Sequence, residues 1–190
     1  GVEALIRGME VGRIMSGEAL DFMDVERCRS DQTWEWDGVS FRILHPHESD
    51  NFSGSNNSSC VLMVESSGGS LLITGDIERK AEEKLLERHA ESLQADILIA
   101  PHHGSNTSSS GEFVQRVNPE YVLFPTGYRN RFGFPKQPVI ERWQAAGSTL
   151  LNTAETGAIQ FRILANQALT DPMLYRRDHQ HYWSMPFKIE

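Results

Sequence analysis

Positive charge, cysteine and long apolar runs are all scarce in this sequence, and each shortage closes off a class of function. Eighteen Lys and Arg stand against 26 Asp and Glu among 190 residues, a formal net charge of −8. That balance argues against a general polyanion-binding surface, which needs clustered cations. Any nucleic acid then has to be held by a local patch or by a metal. No run approaches the roughly 18 apolar residues of a membrane span, and the N-terminus lacks the basic, apolar and small-residue zones of a signal peptide. The two cysteines, Cys28 and Cys60, form no CxxC motif. They are able to pair, but a role as small apolar side chains is the expectation, which leaves the redox compartment open.

What is present suffices for one domain with a sizeable core, with 39% hydrophobic and 23% charged residues. Val2, Leu5, Ile6 and Met9 fall at helical spacing in an uncapped opening segment. Alternating Trp34, Trp36, Val39, Phe41 and Ile43 flank Asp37-Gly38, a hairpin signal because both turn positions need positive φ. A second hairpin is read at Gly68-Gly69. Strands are expected at about 38–45, 60–65, 71–74, 96–100, 121–124, 149–152 and 158–163, the last two as a pair. Helices are expected at about 78–93 and 139–146, with a short one in "GEFVQRV". This is an α/β chain of mixed sheets covered by helices. From Ala165 onward the periodicity stops, and residues 165–190 read as a tail of uncertain order.

Two buried runs end in side chains able to bind metal. "LLITGD" delivers Asp76, and "ILIAPHHGSNTSSS" delivers His102 and His103. Strands lie about 4.8 Å apart in a sheet, so such ends converge on one ion if the strands are neighbours. Plainer readings compete: Asp76 precedes a helix and suits an N-cap, and a histidine at a strand end is often a structural hydrogen-bonding residue. The Gly-Ser after the His-His pair leaves room around an imidazole. A Ser105–His103 nucleophile is a weaker reading, since no G-x-S-x-G elbow is present. His179 and His181 have ligand-like spacing but fall in the unpatterned stretch.

The segments "LLITGDIERKAEEKLL", "ADILIAPHHGSNTSSSGEFVQRVNPEYVLFPTGYRNRFGFP" and "TAETGAIQF" resemble the C-terminal metallo-β-lactamase-like domain of ComEC-type competence proteins, bacterial inner-membrane proteins of DNA uptake. The resemblance covers residues 1–164 and implies an αββα sandwich with a metal site at strand ends. Asp76 matches the carboxylate that bridges two metal ions, and His103, directly before a small residue, matches the last His ligand, with His102 behind it. Ser105, Thr107 and Ser108 would line the pocket, and Asn130 would offer a polar contact to substrate. Against the family pattern, Phe134 stands where relatives often carry His, and Asn56 and Ser58 occupy the region where others place a third ligand. The H-x-H-x-D-H motif would precede Gly1, so the sandwich is expected to be incomplete and this chain alone inactive.

The implied activity is metal-dependent hydrolysis of a phosphodiester, acting on the DNA strand that is not taken up. Two divalent ions, Zn or Mn, on the order of 3.5–4 Å apart would activate water and clamp the displaced oxygens. The alternative is a non-catalytic domain that docks or guides single-stranded DNA, using local cations such as Arg129 and Arg131. Expected partners are DNA, the remainder of the membrane channel protein and, through the face a missing segment would cover, a second copy of the chain. An extracytoplasmic position is favoured.

Overall fold

The structure, a computed structural model, describes residues 2–19, 25–52 and 55–180. In chain order the elements are α1 (Val2–Gly8), β1 (Met15–Ser16), β2 (Glu26–Arg27), β3 (Thr33–Trp36), β4 (Val39–His45), β5 (Val61–Ser66), β6 (Gly69–Ile73), α2 (Arg79–His89), β7 (Ile97–Ile99), α3 (Gly111–Val117), β8 (Tyr121–Phe124), α4 (Gln137–Ala145), β9 (Thr149–Asn152), α5 (Thr153–Thr156), β10 (Ile159–Gln160), β11 (Met173–Leu174) and α6 (Tyr175–Asp178). Seven strands, β3 to β9, form one mixed sheet in sequential order. The first four are an antiparallel meander. The β3–β4 turn places Asp37 and Gly38 at φ 50° and 76°, as the Asp-Gly pair requires. From β6 to β9 the pairing is parallel, and each step crosses over through a helix, first α2, then α3, then α4.

Period-two alternation divides the sheet residues between two cores. Leu72, Leu98, Val122 and Leu150 are register partners. They face the crossover helices, meeting Ala81 and Leu85 of α2, Phe113 and Val117 of α3, and Val139 and Trp143 of α4. Their neighbours Ile97 and Tyr121 point the other way, into a smaller cluster with Leu151 and Leu174. The expected α/β architecture of a mixed sheet flanked by helices is what the chain adopts.

Three expectations change. The segment after β9 does not pair with it: Asn152 accepts a hydrogen bond from Ala154 N and caps α5, which turns the chain away. The strand expected at 158–163 shortens to β10 and pairs with β11 instead. Leu174 is buried in the second core, so the stretch expected as an unpatterned tail contributes β11 and α6. Cys28 and Cys60, expected as small apolar residues, form a disulfide with Cα atoms 5.8 Å apart. The meander brings them together: Asp31 N and Gln32 O bond to Ile43 O and N, which lays the Cys28 segment along the sheet. His181 lies outside the described residues.

Candidate metal and active site

The carboxyl ends of the parallel strands β6, β7 and β8 meet along one edge, where ligands bind in open α/β sheets. Asp76 follows β6, the two histidines follow β7, and the loop 125–136 follows β8. Cross-links fix their relation: Thr74 Oγ1 donates to Ile99 O at 2.8 Å, and His102 N to Gly75 O at 3.0 Å.

The backbone at His102 (φ 47°, ψ 42°) and His103 (φ 54°, ψ 20°) is left-handed. For residues with a Cβ this costs on the order of 1–2 kcal/mol each, and such strain concentrates at functional sites. Gly104 continues the turn at φ +83°, where a Cβ would lie 2.6 Å from Pro135 Cβ and 2.8 Å from the Phe124 ring. The turn throws both imidazoles outward, each against a different carboxylate.

His103 Nε2 lies 3.3 Å from Asp76 Oδ1. Its Nδ1 is 2.9 Å from Pro125 O, and since a carbonyl only accepts, Nδ1 carries the proton. That bond leaves the Nε2 edge of the ring turned towards a carboxylate oxygen, where a shared proton or a cation satisfies both atoms. His103, not His102, faces Asp76. Asp76 does not cap α2; Glu78 occupies the N-cap position.

His102 belongs to a second pair. Its Nδ1 is 3.4 Å from Glu78 Oε1 and 3.2 Å from Thr107 Oγ1, and Thr107 donates to Glu78 at 2.9 Å. Glu78 was not singled out from the sequence. The signal was available: in Asp76-Ile77-Glu78 the apolar middle residue is fully buried, which leaves the two acids on either side of it to face away from the core. Asn57 holds Glu78 from below, its Oδ1 accepting from Glu78 N at 3.0 Å, and Ser59 Oγ accepts from Asp76 N at 3.2 Å. In that loop Asn57 and Ser59 make these bonds, where the sequence had drawn notice to Asn56 and Ser58.

The remaining expected site residues separate. Thr107 is exposed beside the second pair. Ser105 is buried and bonds Thr107 Oγ1 at 3.1 Å, so it forms no nucleophilic pair with His103. Ser108 does not line the cleft: it is buried, its hydroxyl serving Pro101 O and Ser105 O inside the loop. Asn130 is likewise committed, its amide donating to Phe134 O at 2.8 Å and accepting from Phe134 N at 2.9 Å. Both residues shape the cleft in place of lining it. The Phe134 ring lies 5.7 Å from the His102 ring and 6.5 Å from that of His103, and it can neither ligate a metal nor carry a proton.

Buried charge supports the loop. Glu82 accepts from the backbone N–H groups of Ser109 and Ser110, and Arg142 donates to the carbonyls of Ser108 and Ser109. Burial pushes the Glu82 carboxyl above its ordinary value, partly opposed by those hydrogen bonds and by Arg142. Below the other arm, buried His45 Nε2 donates to Asn57 O at 2.7 Å, and burial lowers its basicity.

The Asp76–His103 spacing suits one shared ion. Ligand distances of about 2.0–2.2 Å around a tetrahedral centre set neighbouring donors about 3.3–3.6 Å apart. Among the described residues no three His, Cys, Asp or Glu side chains converge on one point. Among the described residues, Asp76 and His103 thus offer two donors at this point, where a catalytic zinc takes about three from protein.

No family model matches the chain. Curated relatives do. Competence protein ComA of Neisseria gonorrhoeae is 43% identical over 150 residues, which is 79% of this chain and 21% of that protein. ComE operon protein 3 of Bacillus subtilis is 31% identical over 155 residues, 82% of this chain and 18% of that protein. Among solved structures, a Thermotoga maritima protein described as a zinc-dependent hydrolase of the metallo-β-lactamase superfamily aligns with a TM-score of 0.35 and 14% identity, over 66% of this chain and 61% of its own. The chain spans about a fifth of the length of the two competence relatives, and within that span it belongs to the ComEC-type family of competence proteins.

Proposed function

We propose that this chain contributes Asp76 and His103 to the metal centre of a metallo-β-lactamase-like hydrolase that cleaves phosphodiester bonds in the DNA strand left outside during uptake. The observation that carries the reading is the 3.3 Å approach of the His103 Nε2 to a carboxylate oxygen of Asp76, with the other ring nitrogen tied to a carbonyl. That is how proteins present a ligating histidine. Two divalent ions, zinc or manganese, would supply a water of lowered pKa and charge to offset the developing phosphorane. The residues of this chain do the placing. Asp76 and His103 hold an ion at the strand ends. Glu78 and Thr107 fix the His102 ring alongside. Ser105 and Ser108 keep the turn in shape from beneath.

The disulfide favours the extracytoplasmic side of the membrane, because such bonds persist in oxidising compartments. Among the described residues no helix is long and apolar enough to cross a membrane, so attachment falls to the remainder of a channel protein. A second copy of the chain is a further partner: α1 buries none of its residues and leaves Val2 and Leu5 exposed.

A docking domain without catalysis is the second reading, favoured by Phe134 at the cleft. The separating experiment is cleavage of a labelled single strand by the full-length protein with Mn²⁺ or Zn²⁺. The expected result is metal-dependent cleavage that Asp76→Ala lowers on the order of a hundredfold or more, since metal activation is worth several kcal/mol. Binding with no cleavage under any metal selects docking. Cleavage indifferent to Asp76→Ala refutes both the centre and its ligands.

A further inference from the structure

We infer that the loop from Gly127 to Lys136 is a stacking platform for the unpaired bases of a single-stranded nucleic acid. The inference deepens the hydrolase reading, on which it rests for the identity of the polymer. The sequence "GYRNRFGFPK" holds three aromatic residues and three cations with no acid, in a chain of net charge −8. Tyr128 and Phe132 are 55% and 56% exposed. Each ring of the loop carries a cation: Arg129 lies 5.2 Å from the Tyr128 centroid, Arg131 4.7 Å from Phe132, and Lys136 5.4 Å from Phe134.

The rings also lead to the site. Phe132 stacks on Phe134 at 5.5 Å and 18°, and Phe134 lies at 21° to the His103 ring. Asn130 bridges the backbone at Phe134, and Lys136 N donates to Gly104 O at 2.9 Å, so the loop is fastened to the histidine turn. Aromatic faces interleaved with cations complement base faces interleaved with phosphates, and they tolerate any sequence. In a duplex the base faces are stacked on one another, so the platform selects single strands. The guanidinium groups cover the rings in the free protein. Exposed side chains rotate in nanoseconds or less, so Arg129 and Arg131 can exchange a ring for a phosphate while a base takes the ring face.

The test is equilibrium binding of a fluorescent oligothymidylate and of an equally long duplex to this chain, without divalent metal, across a salt series. Tyr128→Ala with Phe132→Ala should weaken single-strand binding on the order of tenfold per ring and leave the salt slope unchanged. Arg129→Ala with Arg131→Ala should reduce the log–log salt slope by about 1.4, at roughly 0.7 per phosphate contact. All four side chains are exposed, so an unchanged melting temperature shows that these variants fold. Equal binding of duplex and single strand, or indifference to the aromatic pair, overturns the platform. Capture by anionic phospholipid vesicles through the same residues, with no oligonucleotide bound, overturns it in favour of a membrane contact. Asp76-dependent cleavage that the loop variants leave intact overturns the platform and spares the hydrolase reading. Loop-dependent binding without cleavage upholds the platform and refutes that reading.

Discussion

The carbonyl of Pro125 accepts a hydrogen bond from His103 Nδ1, and this fixes which nitrogen is free to meet Asp76. The turn that permits it depends on Gly104. Gly104→Ala forces a Cβ into Pro135 and Phe124 at positive φ, and should cost well over about 1 kcal/mol in chemical denaturation. Glu82 acts on the same loop from the core. Glu82→Ala leaves two backbone N–H groups without their acceptor, at about 1–3 kcal/mol for each buried donor. Glu82→Gln, which keeps one acceptor oxygen, should lose less; denaturation midpoints of the two variants check the order. Sequence pattern located Asp76 and the histidines because a buried apolar run that stops at a polar residue marks a strand end. It could not tell Thr107 from Ser108, since small hydroxyl residues in one loop differ only in which way the backbone turns them.

At the level of elements, the parallel strands and their crossover helices were readable because 2.0 and 3.6 residue periods differ sharply. The pairing of β10 was not, because a four-residue helix between two strands carries too little period to register. Nor was the disulfide, since proximity between residues 32 apart is created by the meander and not by local pattern. That bond ties the segment after β2 to the start of β5, next to Ser59 and Asn57, which hold Asp76 and Glu78. Closing a loop of this length stabilises by about 3–4 kcal/mol in the chain-entropy account. Reduction should therefore lower the melting temperature by roughly 10 °C for a chain of this size, as read by calorimetry with and without reductant. A melting temperature insensitive to reductant would mean that the cysteines are not joined.

For the molecule as a whole, the pH dependence of stability follows from one buried histidine, His45, and one half-buried, His89. Burial lowers the basicity of His45, assisted by Arg88 and His89 and opposed by the Asn57 carbonyl and Asp50. Burial does the same to His89, with Arg42 and Arg88 assisting and Asp31 and the Leu44 backbone opposing. Both contributions are present above the unfolded value of 6.5 and lost as pH falls through the depressed folded values. The Asp50 carboxyl, held low mainly by Arg88, adds a loss further down, below its ordinary 3.8. Glu82 opposes these: its raised value makes its contribution complete below 4.5 and lost as pH rises through the folded value. With two histidines against one carboxyl, the melting temperature should fall as the buffer is taken from about pH 7 to about pH 5. His45→Gln should flatten that slope.

The central claim is that Asp76 and His103 hold one divalent ion between them, and Mn²⁺ added to this chain tests it through the histidine ring resonances. Paramagnetic broadening should reach His103 at lower Mn²⁺ than the half-exposed ring of His47 and the exposed ring of His179, and Asp76→Asn should abolish that preference. Broadening spread evenly over the histidines, or a preference for His103 that survives Asp76→Asn, would contradict the shared site.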